Sequence, residues 1–514
     1  MAARHFEARH GLQVVEIPPL RFIQQYKKMI KIEDLCASVI DALKYIRKNK
    51  DVIDAEIFAS WNEQITVRIN YTSDIPCNGV QEPKSIHSYG LGVFAVFKTG
   101  SRIEIGFGSV TGDLTQEGIL EALMKAKRNR VYDPDFKTLP EPAGKPTLED
   151  YHDNCVMEIS AEDTVNLGWE ALGGSLSTFA DGGYVKSIIV GGDITILKER
   201  MAIKSTKGIS GFDESTILTA NITSMIEEEN VKGTGWNIST HLASFKPEKA
   251  GKEAALSAIR TIGGKKIESG KHNVIFGSQP VMDIASHVLI PSLNLASVNA
   301  SNTPYLGKLG QNIASGNLNI YDDGSIKGEI GSKKITCEGL PTGRTDLVSS
   351  GILVGFLANN YYAKKFANNL YNPVPRNGFR FSTGGRDYKN KTGISPTNVV
   401  IEGNNETSKE ELLNRVSNGV YIGRIWYTYP INGLAMGDFT STVIADSFTI
   451  RSGKICDPLR PNTIRINTNI RKILNNIIGI TKEKRSTLVW GSEETVIAPE
   501  IAVSNVQLDN IAGF

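Results

Sequence analysis

The chain of 514 residues holds no apolar run approaching the roughly 18 residues that a membrane span requires. Its first residues, with Arg4, His5, Glu7, Arg9 and His10, also lack the apolar core of a secretory signal. Both absences point to a cytoplasmic protein. The five cysteines, Cys36, Cys77, Cys155, Cys337 and Cys456, include no close pair and no C-x-x-C, which argues for reduced thiols and against a disulfide framework or a zinc ribbon. There is no Walker loop, no dinucleotide fingerprint followed by a suitable acid, and no G-x-S-x-G elbow. An excess of one charge is missing too: 57 basic residues against 55 acidic ones leave +2, which argues against a broad nucleic-acid footprint.

What is present describes a large globular chain. Hydrophobic residues make up 40% and charged residues 22%, and the length suffices for two or three domains with their own cores. Glycine, at 49 residues, favours many turns and a strand-rich fold over a helical bundle.

Residues 1–30 show no strong period and contain Pro18-Pro19. Met29 could serve as an alternative start, and residues 1–28 are expected to make few core contacts. From Ile32 the stripe Leu35, Val39, Ile40, Leu43 and Ile46 predicts a helix, with Glu33 and Asp34 at its start and Arg47, Lys48 and Lys50 at its end, an order that suits the helix dipole. Alternating runs at 55–60, 64–70, 89–98 and 101–109 read as strands. A second helix is expected over 113–130, and Pro134, Pro140, Pro142 and Pro146 end this first α+β domain, residues 31–146. The segment 147–269 repeats the plan as a central α+β domain. It has a helix at 161–180, whose Gly168, Gly173 and Gly174 imply close packing against another element, then strands at 184–190, 193–200, 201–206 and 217–225 and a helix at 247–262. Residues 270–514 read as a large, mostly β domain with a curved or barrel-like antiparallel sheet.

The stretch Gly270 to Gly324 carries the most information. It comprises a buried-strand run, Asn273 to Phe276, a loop with Pro280, a helical pattern through Val281, Ile284 and Val288, and a Gly/Ser/Asn-rich connection ending in Tyr-Asp-Asp-Gly. Here the sequence resembles the TldD/PmbA family, the "modulator of DNA gyrase" proteins. Further phrases in family order support it: Lys204 to Gly208, Gly233 to Trp236, Gly351 to Gly355, Ser395 to Gly403, Met436 to Phe439 and the helix-like 468–478. The resemblance covers roughly residues 30–514.

The TldD branch carries a zinc-binding His-Glu-x-x-x-His helix where this chain has Met282, Asp283 and His287. A hydrolytic zinc site needs about three protein ligands, an open position for water and a carboxylate to take the water's proton. Methionine's thioether binds zinc poorly. The family's third ligand, a cysteine near the C-terminus, has no counterpart between Trp490 and Ala502, and Cys456 lies earlier. The resemblance therefore implies a PmbA/TldE-type member with a vestigial motif and no metal of its own.

Other candidates are weaker. Arg376 and Arg380, in the glycine-rich segment 376–386, could receive an extended peptide's carbonyls or carboxylate. Tyr361-Tyr362 and the aromatic run 426–429 could line a groove, although core packing is the commoner use. Asp322-Asp323 is expected to be a turn with a solvated acid. The resemblance implies a subunit pairing with a TldD-like partner that holds the zinc and cleaves unfolded peptides or processes peptide precursors. The alternatives are a metal-free homodimer that binds peptides, or an independent hydrolase using Asp283 and His287.

Overall fold

The computed structural model describes residues 30–77, 79–100, 102–367, 373–382, 384–489 and 494–511. The expected properties of residues 1–28 fall outside that set. The architecture is α+β, with two large sheets.

The first sheet is antiparallel and built on one long strand, β1 (Val52–Thr72). Around it run β2 (Lys84–Thr99), β3 (Arg102–Thr111), β4 (Val131–Tyr132), β5 (Ile188–Ser205), β6 (Ser210–Ile226) and β7 (Val231–Ser239), in the order β4-β3-β2-β1-β5-β6-β7. β1 pairs with β2 from one side of the Pro-rich stretch and with β5 from the other, so segments 31–146 and 147–269 share one sheet. The sequence suggests two strands where β1 runs unbroken and three where β5 does. Polar residues such as Glu63, Gln64 and Asp193 interrupt the apolar pattern but not the hydrogen-bond ladder.

One face of this sheet is covered by helices α1 (Ile32–Ile46), α2 (Gln116–Arg128), α3 (Ala161–Asp181) and α4 (Pro247–Ile259). In α1, Leu35, Val39, Leu43 and Ile46 are buried as their spacing predicts, against Ile57, Ala59 and Trp61 of β1. Glycine permits the close approach. A Cβ at Gly106 or Gly108 would lie 2.0 or 2.2 Å from a backbone oxygen of α2, and one at Gly233 or Gly235 2.3 or 2.2 Å from α4. The glycines of α3 serve the same end, Gly174 sitting against the backbone of Glu248.

The opposite face of the sheet packs on the C-terminal half. Phe58, Met201 and Ile203 meet Ile335, Cys337, Phe379 and Tyr388. On that same face Glu199, Asp213 and Ser215 enclose Lys333 and Arg386, all essentially without solvent exposure. Lys333 Nζ lies 2.6 Å from Glu199 Oε2, and Arg386 Nη1 lies 2.7 Å from Asp213 Oδ2.

The second sheet comprises β8 (Gly270–Phe276), β9 (Leu318–Asp323), β10 (Arg344–Ser349), β11 (Asn398–Gly403), β12 (Gly419–Ile431), β13 (Asp438–Arg451), β14 (Ile464–Asn469), β15 (Ile477–Leu488) and β16 (Thr495–Asn510). Its core order is β10-β9-β11-β16-β14-β13-β12-β8, and β8 pairs again with β16. Five strands, β16, β14, β13, β12 and β8, thus close a circuit of pairings, the barrel-like element expected of this region. One contact of the circuit, β8 with β12, is parallel, as is the pairing of β11 with β16 outside it. Helix α5 (Ser278–Ile284) follows β8 and buries Val281, Met282 and Ile284 in the largest core. The helix expected over 468–478 is shorter, Ile470–Asn475, because the chain re-enters the sheet as β15.

Candidate functional site

Helix α5 begins after Gly277 and tolerates Pro280 in its first turn, where an N–H would have no intrahelical partner. It widens at Ala285–Leu289 into a π-turn, closed by a hydrogen bond from the Ile290 N–H to the Ala285 carbonyl. Pro291 supplies the reason. Its ring cannot donate to the carbonyl of His287 and crowds it, which favours the wider turn. Ser292 Oγ donates to the Val288 carbonyl at 2.7 Å. Two side chains five residues apart on a regular α-helix point about 140° apart, and a π-turn between them reduces that angle.

The three motif positions diverge in environment. Met282 is 4% exposed and its side chain belongs to the apolar core. The Asp283 carboxylate is buried and in contact with Thr428 Oγ1. His287 keeps a half-exposed ring. Its Nδ1 lies 2.9 Å from the Asp283 carbonyl oxygen, so that nitrogen carries a proton and donates. Burial pushes the Asp283 carboxyl above the ordinary range, opposed by His287 and the Thr428 contact. Thr428 donates toward Asp283 and lies 2.8 Å from Ser441 Oγ, which donates to the Trp426 carbonyl at 3.1 Å.

Thr428 reaches Asp283 because β12 bulges between Trp426 and Tyr429, with Tyr427 at φ 54°. The bulge leaves Trp426, Tyr427 and Tyr429 exposed, and Lys232 Nζ sits 3.5 Å from the Trp426 ring centroid. It is anchored from both sheets. Gln279 Oε1 accepts from the Ile425 N–H at 2.9 Å. Arg424, beside it, donates to Glu253 of α4 at 2.6 Å, and Arg485 grips the same carboxylate with two bonds of 2.6 and 2.7 Å. The sequence shows the aromatics of this segment, whereas the role of Thr428 and of Ser441 depends on the bulge and has no sequence signal. Pro291, four residues beyond His287, is the signal for the π-turn.

The other candidates lie elsewhere. Arg376 donates to the Arg344 carbonyl. Arg380 is corrected from a candidate peptide-binding side chain to an interior one. It is 2% exposed, pairs with Glu56 at 2.5 Å and donates to the Asn390 carbonyl at 2.9 Å, because the chain after Gly378 lies on the first sheet. Asp322 is likewise no solvated turn residue. It sits in β9, 1% exposed, accepting from the Thr397 N–H at 2.6 Å and Asn377 Nδ2 at 2.6 Å, and burial pushes its carboxyl up to about 6. Tyr361 donates to Asp133 at 3.0 Å. Cys456 is exposed, on a strand beside β13. Among the described residues no group of three or more His, Cys, Asp or Glu side chains converges as a metal site.

The donor set does not fit a hydrolytic zinc. A thioether in the apolar core stands where the first imidazole would be, and the neighbouring carboxyl is turned to Thr428. Met282→His is accordingly expected to lower stability by about 1–3 kcal/mol, the cost of burying an unpaired imidazole. Chemical denaturation of the variant, with and without zinc, checks this; a zinc-dependent gain would show that the helix can still present both histidines.

Comparison with known proteins gives one family and one fold. Residues 269–510 match the model of the PmbA/TldA metallopeptidase C-terminal domain. An uncharacterised protein of Methanocaldococcus jannaschii is 28% identical over 52% of this chain and 59% of its own length. A Buchnera aphidicola protein named metalloprotease PmbA homolog is 29% identical over 51% of this chain and 52% of its own. The chain thus spans little more than half the length of these curated relatives. The crystal structure of TldE from Thermococcus kodakarensis superposes with a TM-score of 0.73 at 21% identity, covering 92% of this chain and all of that one. No helix among the described residues is long and apolar enough to cross a membrane.

Proposed function

This chain belongs to the TldD/PmbA family, and from that premise we propose that it is a PmbA/TldE-type subunit of a cytoplasmic metalloprotease complex, with the zinc held by a TldD-like partner. The observation that carries this reading is the placement of Met282 in the core beside a buried Asp283 already engaged by the Thr428 hydroxyl. That pair can neither hold a metal-bound water nor take its proton. The chain's part is then to form one wall of a chamber that accepts unfolded peptides or peptide precursors, with the partner supplying the chemistry. A closed chamber positions an extended chain and excludes folded protein only when both walls are present. An obligate pair of this kind buries upwards of roughly 2,000 Å². Arg376 remains a candidate contact for peptide, whereas Arg380 does not.

The test uses the purified chain alone and with a TldD-like partner from the same organism. Alone, it should carry far less than one zinc per molecule by elemental analysis and leave an unstructured casein fragment intact. With the partner, cleavage should appear and chelators should abolish it. Within the complex Asp283→Asn should cost less than about tenfold, since the Asn carbonyl oxygen can still accept from Thr428 and no proton transfer is assigned to the side chain. Cleavage by the isolated chain, lost on Asp283→Asn or His287→Ala, would support the independent hydrolase instead. Stoichiometric zinc lost on His287→Ala would overturn the vestigial reading.

A further inference from the structure

A cavity of about 490 Å³ opens between α1, the turn joining β5 to β6, the Pro-rich stretch at 142–146 and the loop 334–341. It stands apart from Asp283 and His287, and nothing about it depends on the subunit reading. Its size is that of small-ligand sites, which are mostly apolar with a few placed polar groups. The walls follow that pattern. Val39 and Ile40 of α1 face Ile203, Ile209 and Ile335 across it, and prolines on two sides fix the backbone. Phe212 and Ile40 are left 52% and 37% exposed, a cost that a soluble surface does not need at two facing positions.

The charge in the cavity is of one sign. Among the described residues Lys334 is the only charged one lining it, its Nζ lies 5.9 Å from the Phe212 ring centroid, and no carboxylate among those residues pairs with it. Lys204, just outside the lining, places a second ammonium 3.0 Å from Ser210 Oγ of the wall, again with no carboxylate partner among those residues. The thiol on the wall, Cys36, is pushed up by burial and then by Glu33 and Glu214, so the cavity favours binding over thiolate chemistry.

We propose that this cavity binds a small amphipathic carboxylate, its aliphatic body between α1 and the β5–β6 turn and its carboxylate on Lys334 with Lys204 nearby. Isothermal titration of the full chain with decanoate and with decanol separates the two parts of the claim. Decanoate should bind saturably and at least tenfold more tightly than the neutral decanol. Lys334→Met should remove that preference while leaving decanol binding unchanged, and Ile40→Trp, at the partly exposed rim, should weaken both. Circular dichroism and the unfolding midpoint confirm that the variants fold. The comparison of decanoate with decanol on the unmodified chain stands even if one does not. Absence of saturable decanoate binding, equal affinity for decanol, or a folded Lys334→Met variant that keeps the preference would each overturn the proposal.

Discussion

Arg386→Met is expected to cost about 3–5 kcal/mol of stability, the loss found when one member of a buried ion group is removed and its partners stay behind. Arg386 is completely buried, with Nη1 2.7 Å from Asp213 Oδ2, Nε 3.3 Å from Glu199 Oε1 and Nη2 3.1 Å from Ser215 Oγ. Its own backbone N–H also donates to Glu199 at 2.8 Å. Without the guanidinium two buried carboxylates would share the single ammonium of Lys333. The second substitution of the pair tests the account, since Arg386→Met combined with Asp213→Asn should recover part of the loss by removing the stranded charge. Urea denaturation of the four proteins at pH 7 measures both effects. A change below about 1 kcal/mol for the single variant would show that the cluster is not sealed from water.

The sign of its pH dependence follows. Burial alone would raise the Glu199 carboxyl, but Lys333 and Arg386 outweigh it and hold the group well below the ordinary carboxylate range. A depressed folded pKa contributes stability that is present above the unfolded value, 4.5, and is lost as pH falls.

Glu338 behaves in the opposite sense and gives the second large effect. It is 5% exposed, accepts from the Asn360 N–H at 2.9 Å, and is pushed up to about 8 by burial, with Glu56 adding to the rise and Asn360 and Arg380 opposing it. Arg380 is engaged with Glu56, so one guanidinium serves two buried carboxyls and one of them keeps its proton. A raised folded pKa gives stability that is complete below 4.5 and drains away as pH rises toward 8. Glu338→Gln fixes the neutral state. The fall in stability between pH 5 and pH 8.5 should shrink by about 2–5 kcal/mol, each pKa unit being worth roughly 1.4 kcal/mol. Guanidinium midpoints at the two pH values decide it, and an unchanged slope would mean that Glu338 is ionised and solvated. Asp322, pushed up to about 6 by burial, adds a smaller contribution of the same sign, lost as pH rises toward 6.

The residues that announced the fold were those whose neighbours are close in sequence. The stripe of α1 and the strand run 273–276 followed by the helical pattern from Val281 are local patterns, and the structure follows them, with Pro280 in the first turn of α5 where a loop was expected. What the sequence could not show depends on partners hundreds of residues away. Glu56 and Glu199 alternate with apolar neighbours as a solvated sheet face would, yet that face is covered by Arg380, Lys333 and Arg386. Arg380 looked like a loop cation for the same reason. At the candidate site, the identities of Met282, Asp283 and His287 were legible, whereas the hydroxyl chain through Thr428 and Ser441 exists only because β12 bulges.

The closed circuit of strands has a consequence for biosynthesis. β8 receives its first neighbour only when β12 is made, Val274 meeting Val420, and the second only with β16, where Val274 meets Val503. Ring closure joins segments more than 200 residues apart, a contact whose entropy cost falls due before any reward and which slows folding. While residues between β12 and β16 are being synthesised, the nascent β8 has one unpaired edge, and its apolar Val274 and Phe276 lack part of their cover. Ribosome-bound chains halted in that window should be captured by chaperones and cut by proteases that the finished ring resists.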